Sequence, residues 1–306
     1  MNRKQFLIAF ILTAGMLTAC SSDDEQTSRD NTRRISVEVS ERPMTPDDPA
    51  NAPSMTTRGA ITTIETFSSF NMRGFYNDLA TKYTVSWKKA TSSWTVEDDI
   101  WPTDAPGDTE VPFYAFTQGE DKDFLWNYGN PYLNFTIEQN ASTQHDLLVA
   151  KNSVAYNNYT GKVGKVPLTF DHACAALAFN VFMSTTLKNQ LNSKTLTVSN
   201  ILLRNVSNTG RYYFNTPGWS DVSGSAYYTL NNSNIDIDTT PQALSSNYLF
   251  VIPQKRDANG TTGIYLDITY AFTGQTETKA TIPLDVDWQA GYQYTINIKL
   301  GTTYIK

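Results

Sequence analysis

The chain has 306 residues, a formal net charge of −6, only 18% charged residues and 12% aromatics, including 17 tyrosines. An acidic balance without clustered Lys and Arg argues against nucleic acid as a partner, because phosphate binding draws its affinity from basic side chains. Abundant aromatic and β-branched residues suit pleated surfaces, and the length allows one large or two ordinary domains.

Residues 1–20 read MNRKQFLIAFILTAGMLTAC. A basic start at Arg3 and Lys4, an apolar run over 6–12 and a small-residue close at Thr18, Ala19 and Cys20 form the pattern of an export signal. The apolar run is too short to span a bilayer, which takes about 20 residues. The ending Leu17-Thr18-Ala19-Cys20 resembles the bacterial lipobox, in which the cysteine is acylated and the chain is cut just before it. Acyl chains contribute about 0.8 kcal/mol per buried methylene, so a lipidated Cys20 is expected to hold the protein on the outer membrane without a transmembrane helix. Residues 21–34 form a polar tether, whose acidic cluster at Asp23, Asp24 and Glu25 reads either as solvated linker or as a surface-export tag. The other cysteine, Cys174, lies in an apolar stretch and is expected to be a small buried hydrophobe.

Strand patterns follow in chain order. Residues 35–39 (ISVEV) alternate; residues 42–58 carry four prolines and read as a linker or long loop. Strands are then expected over 70–76, 83–87, 94–96, 111–116, 133–137 and 147–150. The stretch 157–165 has little apolar pattern and marks a border. Beyond it, 166–170 is a strand. Residues 173–183 (ACAALAFNVFM) suit a short helix or a buried strand, the second half favouring strand because Phe179, Val181 and Met183 alternate. Residues 187–191 read as one helical turn. Strands resume over 196–203, 248–253, 264–272, 279–284 and 292–300. The expected class is all-β: two tandem β-sandwiches, an N-terminal one over 35–164 and a C-terminal one over 165–306.

The residues of catalysis do not gather into a motif. The two histidines, His145 and His172, lack a second metal-type ligand at a recognised spacing. His172, beside an apolar run, is expected to be structural. The acidic pairs Asp47-Asp48 and Asp98-Asp99 lack the twelve-residue calcium-loop pattern and read as solvated charge. No Gly-x-Ser-x-Gly elbow or phosphate loop occurs. No enzyme, metal or cofactor is expected. Exposed Tyr and Trp could instead offer a carbohydrate-binding face, although core and cross-strand packing account for most of them.

A run of features resembles the fimbrillin family, the type V pilus subunits and minor-fimbrium-like lipoproteins of Bacteroides-type bacteria. They are Asp146-Leu147-Leu148-Val149-Ala150, then Leu168-Thr169-Phe170-Asp171-His172 before the apolar run, Gly210-Arg211-Tyr212, a late strand over 249–254, and the ending Trp288 to Ile296. Their order matches from about residue 55 to 300; Ala176 departs from the basic residue many relatives carry there. The resemblance implies two transthyretin-like sandwiches, surface export as a lipoprotein, and a role as fimbrium subunit or surface adhesin. It further implies cleavage by an arginine-specific protease that removes a first strand, and assembly with other subunits by strand addition. The candidate cut sites are Arg34 and Arg58, with an ordinary loop arginine as the plain alternative at Arg58. The candidate donor is the last strong strand, carrying Tyr292, Tyr294, Ile296, Ile298 and Leu300. Only six residues follow Leu300, which keeps a tip, an anchor or a non-polymerising lipoprotein open beside a stalk role. The rival readings are a glycan-binding surface lipoprotein of a polysaccharide-utilisation system and a surface hydrolase.

Overall fold

The structure is a computed structural model, and it describes residues 34–46, 67–77, 79–88, 91–97, 101, 109–127, 129–155, 164–256 and 263–302. Cys20 and the rest of the leader, most of the tether, Asp47-Asp48, Arg58, Asp98-Asp99 and the 157–163 stretch lie outside the described residues. The class is all-β as expected, with sandwich packing of sheets. One α-helix, Thr185–Gln190, is described. It starts two residues before the expected turn because Ser184 caps it: the Leu187 N–H donates to Ser184 Oγ at 3.1 Å.

A seven-stranded sheet runs Ile35–Glu41, Gly164–His172, Leu148–Ala155, Glu110–Phe116, Ser69–Tyr76, Leu79–Lys88, Ser93–Val96. Its alternating residues Phe70, Met72, Val85, Val111, Phe113, Val166 and Leu168 point into one core. The sheet curls so that Ile35–Glu41 comes beside Ser93–Val96 at the far edge. Phe70, Trp94 and Phe170 fill the middle, with Phe70 and Phe170 ring centroids 5.0 Å apart and Phe70 and Trp94 5.3 Å apart.

Two further sheets face each other over a second core. One runs Gln242–Ala243, Ala175–Met183, Tyr292–Leu300, Thr45–Pro46, with Leu249–Val251 also on Ala175–Met183. The other runs Ala226–Asn231, Leu196–Val206, Ile264–Phe272, Thr278–Leu284, with Ile235–Ile237 also on Leu196–Val206. The ambiguous 173–183 run is a strand nearly throughout, because cores lie on both of its faces. Leu177, Phe179 and Val181 enter the second core, whereas Ala176 and Ala178 enter a third. A strand buried on both sides reads as a continuous apolar run, which periodicity alone cannot separate from a helix.

The third core lies between these bodies and draws on both halves of the chain. It is covered by a four-stranded sheet, Gly218–Ser223, Thr209–Tyr213, Tyr132–Thr136, Phe124–Leu125. Residues far apart in sequence thus hydrogen-bond as neighbours, Tyr212 opposite Leu133 among them. The strand Gly164–His172 belongs to the sheet of the N-terminal half, and the chain crosses to the next sheet at Ala173 and Cys174.

Two local features decide stability. Asp267, almost wholly buried, accepts from Thr281 Oγ1 at 2.6 Å, Arg204 Nε at 2.7 Å and Lys279 Nζ at 2.9 Å. Burial alone would raise its pKa, but these partners outweigh it and hold the carboxyl below the ordinary carboxylate range. Gly164, opposite Ile35, leaves room for the Trp101 indole: a Cβ there would sit 2.5 Å from the ring.

Because the folded carboxyl of Asp267 is the stronger acid, its contribution is full above the unfolded pKa and is lost as pH falls below that value and through the lower folded pKa. Urea denaturation from neutral to acid pH should therefore show Asp267→Asn less stable at neutrality, with a shallower acid decline; parallel curves would refute the network's role. Gly164→Ala forces the large Trp101 ring to move, and overpacking of this kind costs roughly 1–3 kcal/mol. A lowered melting temperature is expected, and an unchanged one would contradict the close contact.

Candidate functional site

The segment 35–46 borders two sheets in succession. Ile35–Glu41 lies parallel to Gly164–His172 in seven consecutive pairs, from Ile35 opposite Gly164 to Glu41 opposite Phe170. Thr45 and Pro46 then lie parallel to Tyr292 and Gln293 in the other sheet. Every other pairing of the seven-stranded sheet is antiparallel. Parallel ladders are slightly weaker per residue, so the first strand is the odd member of its sheet.

Side chains complete the attachment. Ile35 and Val37 are buried in the first core with Val39 packed against it, while Met44 is buried in the third. Burying an aliphatic side chain of this size stabilises by about 1.5–3 kcal/mol. The polar contacts are exposed: Lys165 Nζ to Glu38 at 3.2 Å, Ser40 Oγ to Thr169 Oγ1 at 3.0 Å, and Arg42 Nη1 to Asp171 at 2.6 Å. Exposed ion pairs contribute little. The segment is therefore held by one backbone ladder and a few apolar plugs, above a groove walled by Val166, Leu168 and Phe170.

Where this groove meets the third core, His172 Nδ1 hydrogen-bonds Asp146 Oδ2, with both side chains buried. The second oxygen of Asp146 and Nε2 of His172 have no partner among the described residues. Burial raises the Asp146 pKa, against the pull of its histidine partner. The pair brackets the crossing: the Ala173 N–H donates to the Leu147 carbonyl at 2.9 Å and Trp219 Nε1 donates to the Ala173 carbonyl at 2.6 Å. Cys174 is a free, fully buried thiol whose pKa burial drives well up. It is a packing residue, not a nucleophile. His172 is buried against Asp146; that partner was present in the sequence as the first residue of the Asp-Leu-Leu pattern, and the spacing of the two gave no sign of contact.

The structure places the sequence-chosen residues apart. Arg34 is exposed at the head of the first strand, its carbonyl accepting from the Gly164 N–H at 2.8 Å. A cut after Arg34 would leave the first strand in place, whereas a cut after Arg58 would separate 35–46 from everything that follows. The strand Tyr292–Leu300 is parallel to Ala175–Met183 over eight pairs, from Ala176 opposite Gln293 to Met183 opposite Leu300. Ile298 and Leu300 are buried in its own sandwich. Donating this strand would strip the second core. The sheet-edge role of Thr45 and Pro46 was not legible, since prolines dominate that stretch.

A family model described as fimbrillin-like matches residues 55–306. The chain therefore belongs to the fimbrillin-like family. Three solved structures share its fold. A fimbrial protein from Bacteroides vulgatus is 18% identical, with 90% of this chain and 96% of that one covered at a TM-score of 0.56. A candidate cell adhesion protein from Parabacteroides distasonis is 8% identical, with 88% and 89% covered at 0.57. Another from Bacteroides eggerthii is 15% identical, with 88% and 87% covered at 0.50. No curated protein matches the chain.

Removing one member of a buried hydrogen-bonded pair leaves the other unsatisfied and costs roughly 1–3 kcal/mol, and replacing both with apolar residues costs far less. Asp146→Ala and His172→Leu should each destabilise by that order in chemical denaturation. Asp146→Leu combined with His172→Leu should be milder than either single change. Additive losses would show that the two side chains do not act as a pair.

Proposed function

We propose that the protein is a surface fimbrial subunit or fimbrillin-like adhesin that exchanges its 35–46 segment for a strand of another subunit. The carrying observation is that one short segment closes the edges of two sheets and plugs two cores, through a parallel ladder with few other ties. An open edge beside Val166, Leu168 and Phe170 would aggregate unless covered. An incoming strand supplies the same backbone bonds and alternate plugs.

In this reading residues 1–20 direct export, Cys20 carries lipid in the outer membrane, and residues 21–34 are the tether. Cleavage after Arg58 then frees 35–46 together with the anchor. Arg34 is the weaker cut site, because its cleavage leaves the groove filled. The two-domain division belongs to the same reading; the sheet pairing favours a border at Ala173 over one near residue 164. The strand Tyr292–Leu300 serves its own fold, so the donor must come from a segment that is free to leave its subunit.

N-terminal sequencing of cell-surface protein, with an unboiled gel beside it, tests this. A terminus at Gly59 and a heat-sensitive ladder are expected, both lost with Arg58→Ala. A lipidated Cys20 terminus on a purely monomeric protein would overturn strand exchange.

A further inference from the structure

The sandwich over the second core has a second seam, at the sheet edge opposite the one that Thr45 and Pro46 cover. A cleft of about 470 Å³ opens there between the Ala226–Asn231 edge and the Gln242–Ala243 and Leu249–Val251 edge. The volume is that of a small-molecule site. Its floor is apolar: Leu177, Phe179 and Leu249 are buried. Tyr227 stands at the rim, 57% exposed, the most exposed large hydrophobic side chain among the described residues.

The rim beside Tyr227 is made of amides and hydroxyls, Gln139 and Asn247 among them. Gln139, Asn247 and Tyr227 are exposed at the cleft mouth, and among the described residues neither side-chain amide nor the Tyr227 hydroxyl makes a hydrogen bond. Among the described residues, none that lines the cleft is charged. The cation across the strand from Tyr227, Arg204, is committed to Asp267 and to the face of Tyr265. The wall over the floor is held in shape by Gln144, which donates to the Glu138 carbonyl at 2.8 Å and accepts from the Phe250 N–H at 2.8 Å. Asn140 Oδ1 adds a local turn by accepting from the Ser142 N–H at 3.1 Å.

We propose that this cleft binds a neutral saccharide. An amphipathic ligand without charge fits the lining: its C–H face stacks on the Tyr227 ring and the apolar floor, and its hydroxyls meet the rim amides. A charged ligand would lose its hydration there with no counter-charge to replace it. An added peptide strand fits less well. The Ala226–Asn231 edge is irregular, with register shifts at Ile201/Leu202 and Arg204/Val206 in its pairing, and bulged edges resist strand addition. The site lies away from the 35–46 segment and does not depend on polymer formation.

The test applies the labelled mature protein to an array of neutral oligosaccharides of glucose, galactose, mannose and N-acetylhexosamines, beside sialylated and sulfated versions of the same chains. The best neutral binder is then titrated by calorimetry. Binding to a neutral chain is expected, with Kd raised tenfold or more by Tyr227→Ala and by Asn247→Ala. Tyr132→Ala, on the separate four-stranded sheet, should leave it unchanged. Melting curves check that each variant is folded, and Asn247→Ala carries the test should Tyr227→Ala lower stability. Binding to charged chains alone, neutral binding indifferent to both cleft variants, or no binding to any neutral chain overturns the site. The polymer ladder is read separately, so a chain that assembles without binding sugar fails here alone.

Discussion

The architecture hangs on how its sheet edges are covered. The segment 35–46 runs along Gly164–His172 and then touches the start of Tyr292–Leu300, so one extended stretch seals two sheets that share no other strand. Its backbone ladder satisfies donors and acceptors that would otherwise face water or another chain. Ile35 and Val37 are buried in one core and Met44 in another. A segment of this kind is continuous with the chain yet weakly tied by topology, because its ladder is a single parallel one.

The junction between the bodies works differently. There the Asp146–His172 pair, the crossing at Ala173 and Cys174, and the indole of Trp219 lock together strands from both halves of the chain. Aromatic rings around Phe124 extend that core, Phe116 and Phe214 lying 5.7 and 5.5 Å from it. A buried pair with unused polar atoms is costly to break on one side only, so the junction is tied by more than the single parallel ladder that holds 35–41.

The sequence carried much of this, and its omissions have physical causes. Alternation located nearly every long strand, since one face of each meets a core. Some strands that went unseen are very short, as in Gln242–Ala243 and Gln254–Arg256; Gly218–Ser223 is largely exposed, and Ala226–Asn231, whose Ala226 and Tyr228 are buried, lies in a stretch rich in small and polar residues. The strand Gly164–His172 was expected to open a new domain because a weakly patterned stretch precedes it, yet its pairing returns it to the earlier sheet. Long-range pairing leaves no local mark. For the same reason Asp146 and His172 read as two unrelated motif residues, and the cleft beside Tyr227 was invisible, being assembled from four separate stretches. The resemblance to fimbrillins rested on motif order, and the family match over residues 55–306 bears it out.

The central claim is that 35–46 is a separable strand over a groove that must be filled. Hydrogen exchange on a chain beginning at Gly59, with and without a synthetic peptide of residues 34–46, addresses it directly. The account predicts fast exchange along Gly164–His172 and at the start of Tyr292–Leu300 in the truncated chain, with protection restored when the peptide is added. Equal protection in both samples, or a peptide that does not bind, would contradict it.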